Sequence, residues 1–560
     1  MLVSEAVGRT LAELGVRQAF GVVGSGNFDV TNALVAAGAR YVAARHEGGA
    51  ATMADAYARM SGEVSVLTLH QGCGLTNAMT GITEAAKSRT SMLVLAAEAN
   101  APTSNFAVDQ AAMATAVGAS TVRLDSASDV ATETVRAFHL ARDERRTVVV
   151  NLPLEVQGHA AAPGPPVKAA PSPAPFGPTA GEADALAALL AGAARPVLVA
   201  GRGARHAREE LLGLADACGA LVATSAVAKG LFNGSPWSLD VSGGFASPLA
   251  ASLMTDADVI VGFGCALNMW TMRHGRLIGP DARVAQVDVE PHALGRHRPI
   301  HLGIVGDSAV TAAAAAQALL RRSPSRDHVD SPAVSGGKVD MITGYRQDAV
   351  RERIAREVRW RDVPYEDWSG EATIDPRTLT IALDDLLPAE RVVAVDSGNF
   401  MGYPSMFLAV PDEFGFCFTQ AFQSIGLGLA TAIGAALAQP SRLPVAALGD
   451  GGALMAAAEF DTVRRLRLPM LIVVYDDAAY GAEVHHFTDG RPLDTVTFPD
   501  TDIAAIGAGY GLEAAVVRTP DDLDAVRRWL DGPRDRAMLV DAKVAAPRGS
   551  WWLEEAFRGH

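Results

Sequence analysis

Short apolar runs alternate with longer helical stretches along most of this 560-residue chain. This alternation is the sequence signature of βαβ units, so it predicts an α/β fold with mostly parallel sheets. A helix is predicted over 453–465, between two of the predicted strands. The apolar runs that predict strands are 18–24, 64–69, 92–96, 147–150, 197–200, 259–262, 284–288, 391–396, 443–448, 470–474 and 537–541.

Two proline-rich segments, 160–180 and 323–375, interrupt this pattern. Proline-rich chain extends and cannot form a packed core, so both segments are predicted to be linkers between domains. The blocks that they separate have the size of ordinary domains, and each is expected to carry its own sheet flanked by helices. The predicted divisions are a first domain at 1–160, a central Rossmann-like domain at 181–322, a third domain at 370–546 and a tail at 547–560.

Charge and composition exclude several classes of function. The net charge of −15 argues against nucleic acid or an anionic membrane as a partner. No apolar run is long enough to cross a membrane, and the amino terminus lacks the basic region of a signal peptide. The four cysteines are far apart in sequence and form no CxxC pair, which argues against a disulfide framework or a zinc site. The sequence therefore predicts a cytoplasmic protein.

The most specific motif is Gly449-Asp450-Gly451, followed one predicted helix and one predicted strand later by Asp476 and Asp477. Such a unit places both acidic segments at the carboxyl edge of a parallel sheet, where open α/β sheets bind ligands. Glycines let the backbone approach a phosphate, and a helix amino terminus favours anions. Carboxylates beside a phosphate suit a hard cation such as Mg²⁺. The competing interpretation is an ordinary βαβ turn with exposed acids.

This motif resembles the diphosphate-binding motif of thiamine-diphosphate-dependent enzymes, in which Gly-Asp-Gly is followed by a spacer and usually Asn-Asn. The resemblance implies that Asp450, the side chain of Asp477 and the backbone carbonyl of Ala479 bind Mg²⁺. The chain departs from the family pattern because it carries Asp476-Asp477. An aspartate keeps the ligand oxygen but adds negative charge beside the diphosphate, which leaves the metal affinity and metal preference open.

Other segments resemble the parts of this family that hold the cofactor. Backbone N–H groups after the strand at 391–396 are expected to face the diphosphate. Ile425 matches the bulky apolar residue that bends the cofactor so that its 4′-amino group approaches C2, which is catalysis by proximity. The residues that the resemblance assigns to cofactor binding are Gly24, Ser397, Gly398, Asn399, Gln423, Ile425, Gly449, Gly451, Gly452 and Tyr480.

Glu47 lies in the segment Arg45-His46-Glu47, which resembles the family's context for its activating glutamate. By that resemblance the carboxyl group hydrogen-bonds N1′ of the aminopyrimidine and helps to remove the C2 proton. A favourable charge near a helix amino terminus is the alternative. In the family the first domain of one subunit faces the third domain of another, so a homodimer or homotetramer with active sites between subunits is expected.

Five further residues are candidates for the catalytic groups that meet the substrate. Ser25 and His70 occupy slots that resemble those of benzoylformate decarboxylase, although a helix cap and a strand-end polar group are the alternatives. Gln110 resembles the glutamine of benzaldehyde-lyase-like and acetolactate-synthase-like enzymes, or is a surface-helix residue. His485 and His486 follow Tyr480, and at most one of the two is expected to face the site.

The resemblance implies a thiamine-diphosphate- and Mg²⁺-dependent enzyme that acts on 2-keto acids, acyloins or aldehydes, as an acetolactate-synthase-like carboligase. The alternatives are a non-oxidative decarboxylase of the benzoylformate decarboxylase type, an FAD-dependent enzyme like pyruvate oxidase, and a catalytically silent family member. FAD is permitted but not favoured. The segment Gly201-Arg202-Gly203 is a weak nucleotide signal, and 264–270 lacks the Phe-Asp-x-Arg of FAD-binding members.

Overall fold

The computed structural model of the protein describes residues 1–162, 167–322 and 344–553. Parts of the predicted linkers, at 163–166 and 323–343, and of the predicted tail, at 554–560, lie outside the described residues. Within the described ranges, no helix has both the length and the apolar character needed to span a membrane. Three six-stranded, mostly parallel sheets flanked by helices make up the fold, so the predicted fold class is confirmed.

The first sheet has the strand order β2-β1-β3-β4-β6-β5, and all its pairings are parallel. Its strands are β1 Gln18–Gly21, β2 Arg40–Ala43, β3 Ser65–Leu69, β4 Met92–Glu98, β5 Ser120–Arg123 and β6 Thr147–Pro153. The helices of this segment are α1 Val3–Glu13, α2 Phe28–Ala36, α3 Glu47–Ser61, α4 Cys73–Lys87, α5 Gln110–Ala116, α6 Val130–Asp143 and α7 Leu154–Gln157.

The central sheet has the order β12-β11-β10-β7-β8-β9, again parallel. Apolar clusters pack against it, as its fully buried interior strands require. Its strands are β7 Pro196–Ala200, β8 Leu221–Thr224, β9 Ser238–Val241, β10 Val259–Phe263, β11 Arg283–Asp288 and β12 Leu302–Val305. Its helices are α8 Ala180–Ala191, α9 Arg208–Cys218, α10 Pro248–Thr255, α11 Ser308–Arg322 and α12 Asp348–Glu357.

The third sheet has the order β14-β13-β15-β16-β18-β17. Its strands are β13 Arg391–Val395, β14 Phe416–Phe418, β15 Leu443–Gly449, β16 Leu471–Asp476, β17 Glu513–Val517 and β18 Met538–Lys543. Its helices are α13 Pro376–Leu386, α14 Gly402–Phe407, α15 Gly428–Ala438, α16 Asp450–Met455, α17 Phe460–Leu466, α18 Gly481–His486, α19 Ile503–Gly509 and α20 Asp524–Asp531. The single helix predicted over 453–465 is wrong, because a 3₁₀ turn at Ala457–Glu459 separates α16 from α17.

The described chain forms two compact units. The first contains 1–173, 367–404 and 417–548, and therefore the first sheet and most of the third. The second contains 174–366, 405–416 and the residues from 549 onward, and therefore the central sheet. The domain limits predicted from the sequence stay predictions.

Within the first unit, α3 packs directly on α15. Gly434 makes this possible, because a Cβ at that position would overlap the backbone carbonyl of Met53 and lie 2.9 Å from the Cβ of Ala56. A Cβ at Gly81 of α4 would similarly lie 2.7 Å from that of Ala51. Small residues therefore bring the first and third sheets of this unit together through their helices.

Candidate active site

The two acidic segments of the central motif meet at one edge of the third sheet. Strands β15 and β16 are parallel neighbours, and Gly449 is in register with Tyr475. Asp450 and Asp477 follow directly, so their carboxylates lie close together. Burial and the negative charge of Asp476 raise the pKa of Asp450 to about 7, and burial with the charges of Asp450 and Asp476 raises the pKa of Asp477 to about 8. A divalent cation here would offset this repulsion.

A cavity of about 160 Å³ opens beside these carboxylates. It brings together four segments of the third domain that are separate in sequence. The lining residues are Ser397, Gly398, Asn399, Phe400, Ile425, Gly449, Asp450, Gly451, Gly452, Tyr475, Asp477, Ala479, Tyr480, Gly481, Ala482 and Glu483. A second cavity, of about 320 Å³, shares Asp450, Gly451 and Tyr480 with the first.

Glycines line the first cavity where the backbone must stay open. Gly398 has φ +143°, in the region that favours glycine, and a Cβ at Gly398 or Gly449 would lie 3.0–3.1 Å from the Phe400 ring. A Cβ at Gly451 would lie 2.7 Å from the Tyr480 ring. Side chains are therefore excluded on both sides of the Asp450 turn. This leaves backbone N–H groups accessible to an anionic group such as a diphosphate.

Ala479, in the loop after β16, lines the same cavity as the two carboxylates. The amide of Tyr480 donates to Val496 (2.8 Å) and that of Phe498 donates to Ala478 (2.8 Å), so the carbonyl of Ala479 lies outside this pairing. The Tyr480 ring packs edge-on against Phe498, with 4.9 Å between centroids. Two carboxylates and a carbonyl are hard oxygen donors, and this set fits Mg²⁺.

Asp396, at the end of β13, was not predicted as a site residue. It is fully buried and accepts hydrogen bonds from the amides of Ser397 (2.8 Å), Gly426 (3.0 Å) and Leu427 (3.2 Å). Burial raises its pKa to about 6. Asp396 thereby joins the 397–399 loop to the segment that carries Ile425. A buried acid directly after an apolar strand was the available sequence signal.

Glu47 is the first residue of α3, and its carboxylate accepts a hydrogen bond from Asn77 (3.1 Å). Its side chain does not line the cavity that contains Asp450. The turn before it is held by the buried Glu459, whose Oε1 accepts from the amides of Arg45 (3.0 Å) and His46 (3.1 Å). A residue of the third domain therefore fixes the backbone that presents Glu47. This link could not be predicted from the sequence, because it joins positions that are more than 400 residues apart.

A second buried carboxylate, in the first domain, binds the backbone of a loop in the third domain. Glu84, on α4, accepts from the amides of Ala421 (3.0 Å) and Phe422 (2.6 Å), which precede Ile425. Burial opposes ionisation of Glu84, but the adjacent Arg59 and these two amides hold its pKa below the usual range. Each of the two domains in this unit thus supplies a buried carboxylate to a candidate catalytic loop of the other.

His70 lies at the carboxyl end of β3 with a defined hydrogen-bond role. Its Nδ1 accepts from the amide of Gly26 (3.2 Å), so the neutral ring carries its proton on Nε2. Phe106 packs edge-on against the ring, at 5.4 Å between centroids. A Cβ at Gly24 would lie 2.7 Å from the imidazole. The 24–26 loop and His70 therefore form one packed group.

Ser25 does not cap a helix and Gln110 does not lie on a helix surface, which were their alternative roles. Ser25 is exposed, and α2 begins after Asn27, so Ser25 is not the cap of that helix. Gln110 is buried rather than on a helix surface; its amide nitrogen donates to Asn151 (2.9 Å). Its carbonyl Oε1 is buried without a hydrogen-bond partner among the described residues. Both positions remain open to a substrate role.

Three further candidates lie outside the lining of the first cavity. His485 and His486 end the short helix α18 and are partly buried, and burial lowers the pKa of His485. Gln423 is exposed and has φ +62°. By contrast, Ala482 on α18 lines the cavity and leaves space there.

The glycines at Gly201 and Gly203 of the central domain have a packing explanation. A Cβ at Gly201 would overlap the carbonyl of Gly264, and one at Gly203 would lie 2.9 Å from the Cα of Gly264. The close approach of two loops within this unit therefore requires glycine at both positions, whether or not a nucleotide binds.

Three models of the thiamine pyrophosphate enzyme family match the chain in order. They are the N-terminal TPP binding domain at residues 1–118, the central domain at 183–316 and the C-terminal TPP binding domain at 396–542. The chain belongs to the thiamine-diphosphate-dependent enzymes. Within that family it is an enzyme of the carboligase and decarboxylase group.

Individual relatives agree with this assignment. Sulfoacetaldehyde acetyltransferase of Castellaniella defragrans is 28% identical, with 96% of this chain and 92% of the relative covered. The large subunit of acetolactate synthase isozyme 2 of Escherichia coli K12 is 25% identical, with 93% and 92% covered. The structure of a thiamine-diphosphate-dependent 4-hydroxybenzoylformate decarboxylase of Rhodococcus jostii RHA1 shares the fold, with a TM-score of 0.78, 22% identity and 97% and 99% coverage.

Proposed function

We propose that this thiamine-diphosphate-dependent enzyme is a Mg²⁺-dependent carboligase that acts on 2-keto acids or acyloins. The observation that carries the proposal is the cavity where open glycine backbone and the carboxylates of Asp450 and Asp477 share one space. When bound, the cofactor supplies a nucleophilic C2 that attacks a carbonyl carbon. The protein's own residues bind it, bend it and control protons around it.

Asp450, Asp477 and the Ala479 carbonyl would hold Mg²⁺, which would bridge to the diphosphate. The described part of the chain contains no group of three or more His, Cys, Asp or Glu side chains suited to a metal. Mg²⁺ in proteins commonly combines one or two carboxylates with phosphate oxygens and waters, so the diphosphate would supply further ligands. This makes metal and cofactor binding mutually dependent.

The backbone of 397–399 and 449–452 would receive the diphosphate, and Ile425 and Tyr480 would contact the rest of the cofactor. All of them line the cavity. Gln423 and Gly24 are assigned to the cofactor by resemblance alone, since neither lines this cavity.

Glu47 is proposed to activate the cofactor of a second copy of the chain. Its side chain lies outside the cavity of its own chain, and the helix that follows Asp450 exposes Leu454 and Met455, which are 40% and 56% accessible. Apolar side chains beside a catalytic loop favour coverage by another subunit. A homodimer or homotetramer with shared active sites follows from this proposal.

Carboligation is favoured by the space beside Ala482, because partition depends on which electrophile reaches the carbanion first. The two curated relatives compared above are named for acetyl transfer and acetolactate synthesis, which pass a carbon unit to an acceptor. Gln110, with its free buried Oε1, would orient such an acceptor. His485 or His486 would exchange a proton with the adduct.

Product analysis tests the proposal. The purified enzyme is incubated with pyruvate, thiamine diphosphate and Mg²⁺, with and without an aldehyde or a second 2-keto acid, and products are separated by chromatography. Acetolactate or a mixed acyloin is expected. Acetaldehyde alone with every acceptor would contradict carboligation from this donor.

A non-oxidative 2-keto acid decarboxylase is the second candidate, favoured by the geometry of His70. Its Nε2–H is fixed as a donor by the Gly26 amide, and Ser25 lies exposed nearby on the same packed loop. Such groups would protonate the carbanion and release an aldehyde. An FAD-dependent oxidase of the pyruvate oxidase type would instead reveal itself by a yellow purified protein.

A further inference from the structure

Asp476 is one of the two aspartates by which the chain departs from the usual Asn-Asn of its family, and both of its side-chain oxygens accept hydrogen bonds. Oδ1 accepts a hydrogen bond from the amide of Ala478 (2.9 Å). Oδ2 accepts from the ammonium of Lys543 (2.5 Å). The side chain is almost fully buried. The extra charge at this position therefore has a partner inside the protein and does not face the cofactor alone.

Lys543, the last residue of β18, is 8% exposed and lies among three carboxylates. Besides Asp476, its Nζ contacts Asp500 (2.7 Å) and Asp541 (3.2 Å), and it donates to the carbonyl of Thr501 (2.9 Å). A buried ammonium with so many acceptors holds each of them in place. Strands β16 and β18 are adjacent, with Asp476 and Lys543 in register.

The loop that Asp476 controls is backbone-strained. Ala478 has φ +53°, in the left-handed region that a residue with a Cβ rarely adopts. The hydrogen bond from its amide to Asp476 offsets that cost. The next residue is Ala479, whose carbonyl is a proposed metal ligand, and the preceding one is Asp477, another.

We propose that Lys543 is a positioning residue that holds the Asp476 side chain in place and so sets the geometry of the Asp477–Ala479 loop for Mg²⁺. The inference rests on the proposed cofactor site and goes beyond it. Asp476 and Lys543 act as a matched pair. The Ala478 amide and Lys543 donate to different oxygens of Asp476. An asparagine at 476 has only one acceptor oxygen, so its NH₂ group would face one of these two donors.

Calorimetric titration of Mg²⁺ into protein saturated with thiamine diphosphate tests the pairing. Lys543→Met and Asp476→Asn are each expected to weaken Mg²⁺ binding by about 10- to 100-fold, the range for residues that orient metal ligands. The double variant is expected to bind Mg²⁺ more tightly than the product of the two single effects predicts. In the double variant, neither a buried ammonium at 543 nor a buried carboxylate at 476 is left without its partner.

Asp500→Asn is the matched control, since it removes the charge of an exposed partner of Lys543 and leaves the pair with Asp476 intact. It is expected to bind Mg²⁺ like wild type. Thermal melting of each variant without cofactor reports folding, and Asp476→Asn, which conserves size, covers the case in which Lys543→Met does not fold.

Three results would overturn the inference: Lys543→Met binding Mg²⁺ like wild type, Asp500→Asn losing as much affinity as Lys543→Met, or independent single effects in the double variant. Failure of the wild-type protein to bind Mg²⁺ with thiamine diphosphate would instead refute the proposed function itself.

Discussion

Single residues at this site divide into those that move protons and those that hold the cofactor. Glu47→Gln is expected to lower turnover by about 10²–10⁴-fold, because an amide cannot exchange the proton that general acid–base catalysis needs. Binding of thiamine diphosphate and Mg²⁺ should be retained, since the proposed metal and diphosphate sites line the cavity of Asp450 and glutamine keeps the size of glutamate. Proton exchange at C2, followed by NMR in deuterated buffer, measures the effect. Exchange at the wild-type rate in the variant would contradict the assignment.

Asp450→Ala and Asp477→Ala are each expected to abolish retention of thiamine diphosphate through loss of the metal. Asp477→Asn should retain it, because the amide keeps a ligand oxygen and removes one of the charges that crowd this position. Calorimetric titration with cofactor and Mg²⁺ distinguishes the variants. If Asp477→Asn lost as much affinity as the alanine variant, the second carboxylate charge would be required.

The metal ligands Asp450, Asp477 and Ala479 were assigned from the resemblance of a motif at two strand ends, and all three residues line one cavity. The sequence did not predict Lys543 or Glu459. Their partners are distant in sequence, and only the pairing of β16 with β18 and the packing of α3 on α15 place them. Gln423 was assigned to the cofactor by resemblance, but the structure exposes its side chain.

At the level of helices and strands, the loops that lead into helices position the candidate catalytic residues. Glu459→Ala is expected to lower turnover by roughly tenfold or more, as loss of a supporting hydrogen-bond partner does at other sites, because the amides of Arg45 and His46 lose their acceptor. Glu459→Gln is the control, since its amide oxygen still accepts. Affinity for Mg²⁺ and thiamine diphosphate should stay the same in both. Equal turnover in the alanine and glutamine variants would count against this role.

The contact between α3 and α15 depends on the absence of a side chain at Gly434. Gly434→Ala is expected to lower the free energy of unfolding by about 1–3 kcal/mol, because the added Cβ overlaps the Met53 carbonyl. Gly213→Ala on α9 is the matched control. Its Cβ would meet open space, so the change should raise stability by about 0.5–1 kcal/mol through helix propensity. Thermal melting of both variants checks the opposite signs, and a stable Gly434→Ala would refute the close packing.

Strand prediction succeeded or failed according to position in the sheet. Interior strands such as β6 and β16 are buried throughout, and each contains a continuous apolar run in the sequence. The edge strands β2, β5, β9, β12, β14 and β17 were not predicted, and all of them mix buried positions with exposed or partly exposed ones. β8, an interior strand of four residues, was also missed because its run is short.

For the whole molecule, a site shared between copies makes a specific prediction. Glu47→Gln and Asp450→Ala should each be inactive alone, yet a mixture that exchanges subunits should regain about a quarter of wild-type activity, because half the dimers are mixed and one of their two sites is intact. Activity assays on co-refolded or co-expressed pairs measure this. A mixture as inactive as its parents would show that each chain uses its own Glu47.

The first unit is assembled from segments separated by the whole central domain, and this has a consequence for biosynthesis. Helix α3 and the buried Arg59–Glu84 pair leave the ribosome long before 417–438, the stretch that covers them. At ~5–20 residues per second the delay is on the order of tens of seconds. During that interval the nascent chain exposes an apolar helix surface, and Glu84 lacks the two backbone amides that later donate to it. The yield of folded protein in cells should therefore depend on chaperones that bind incomplete chains.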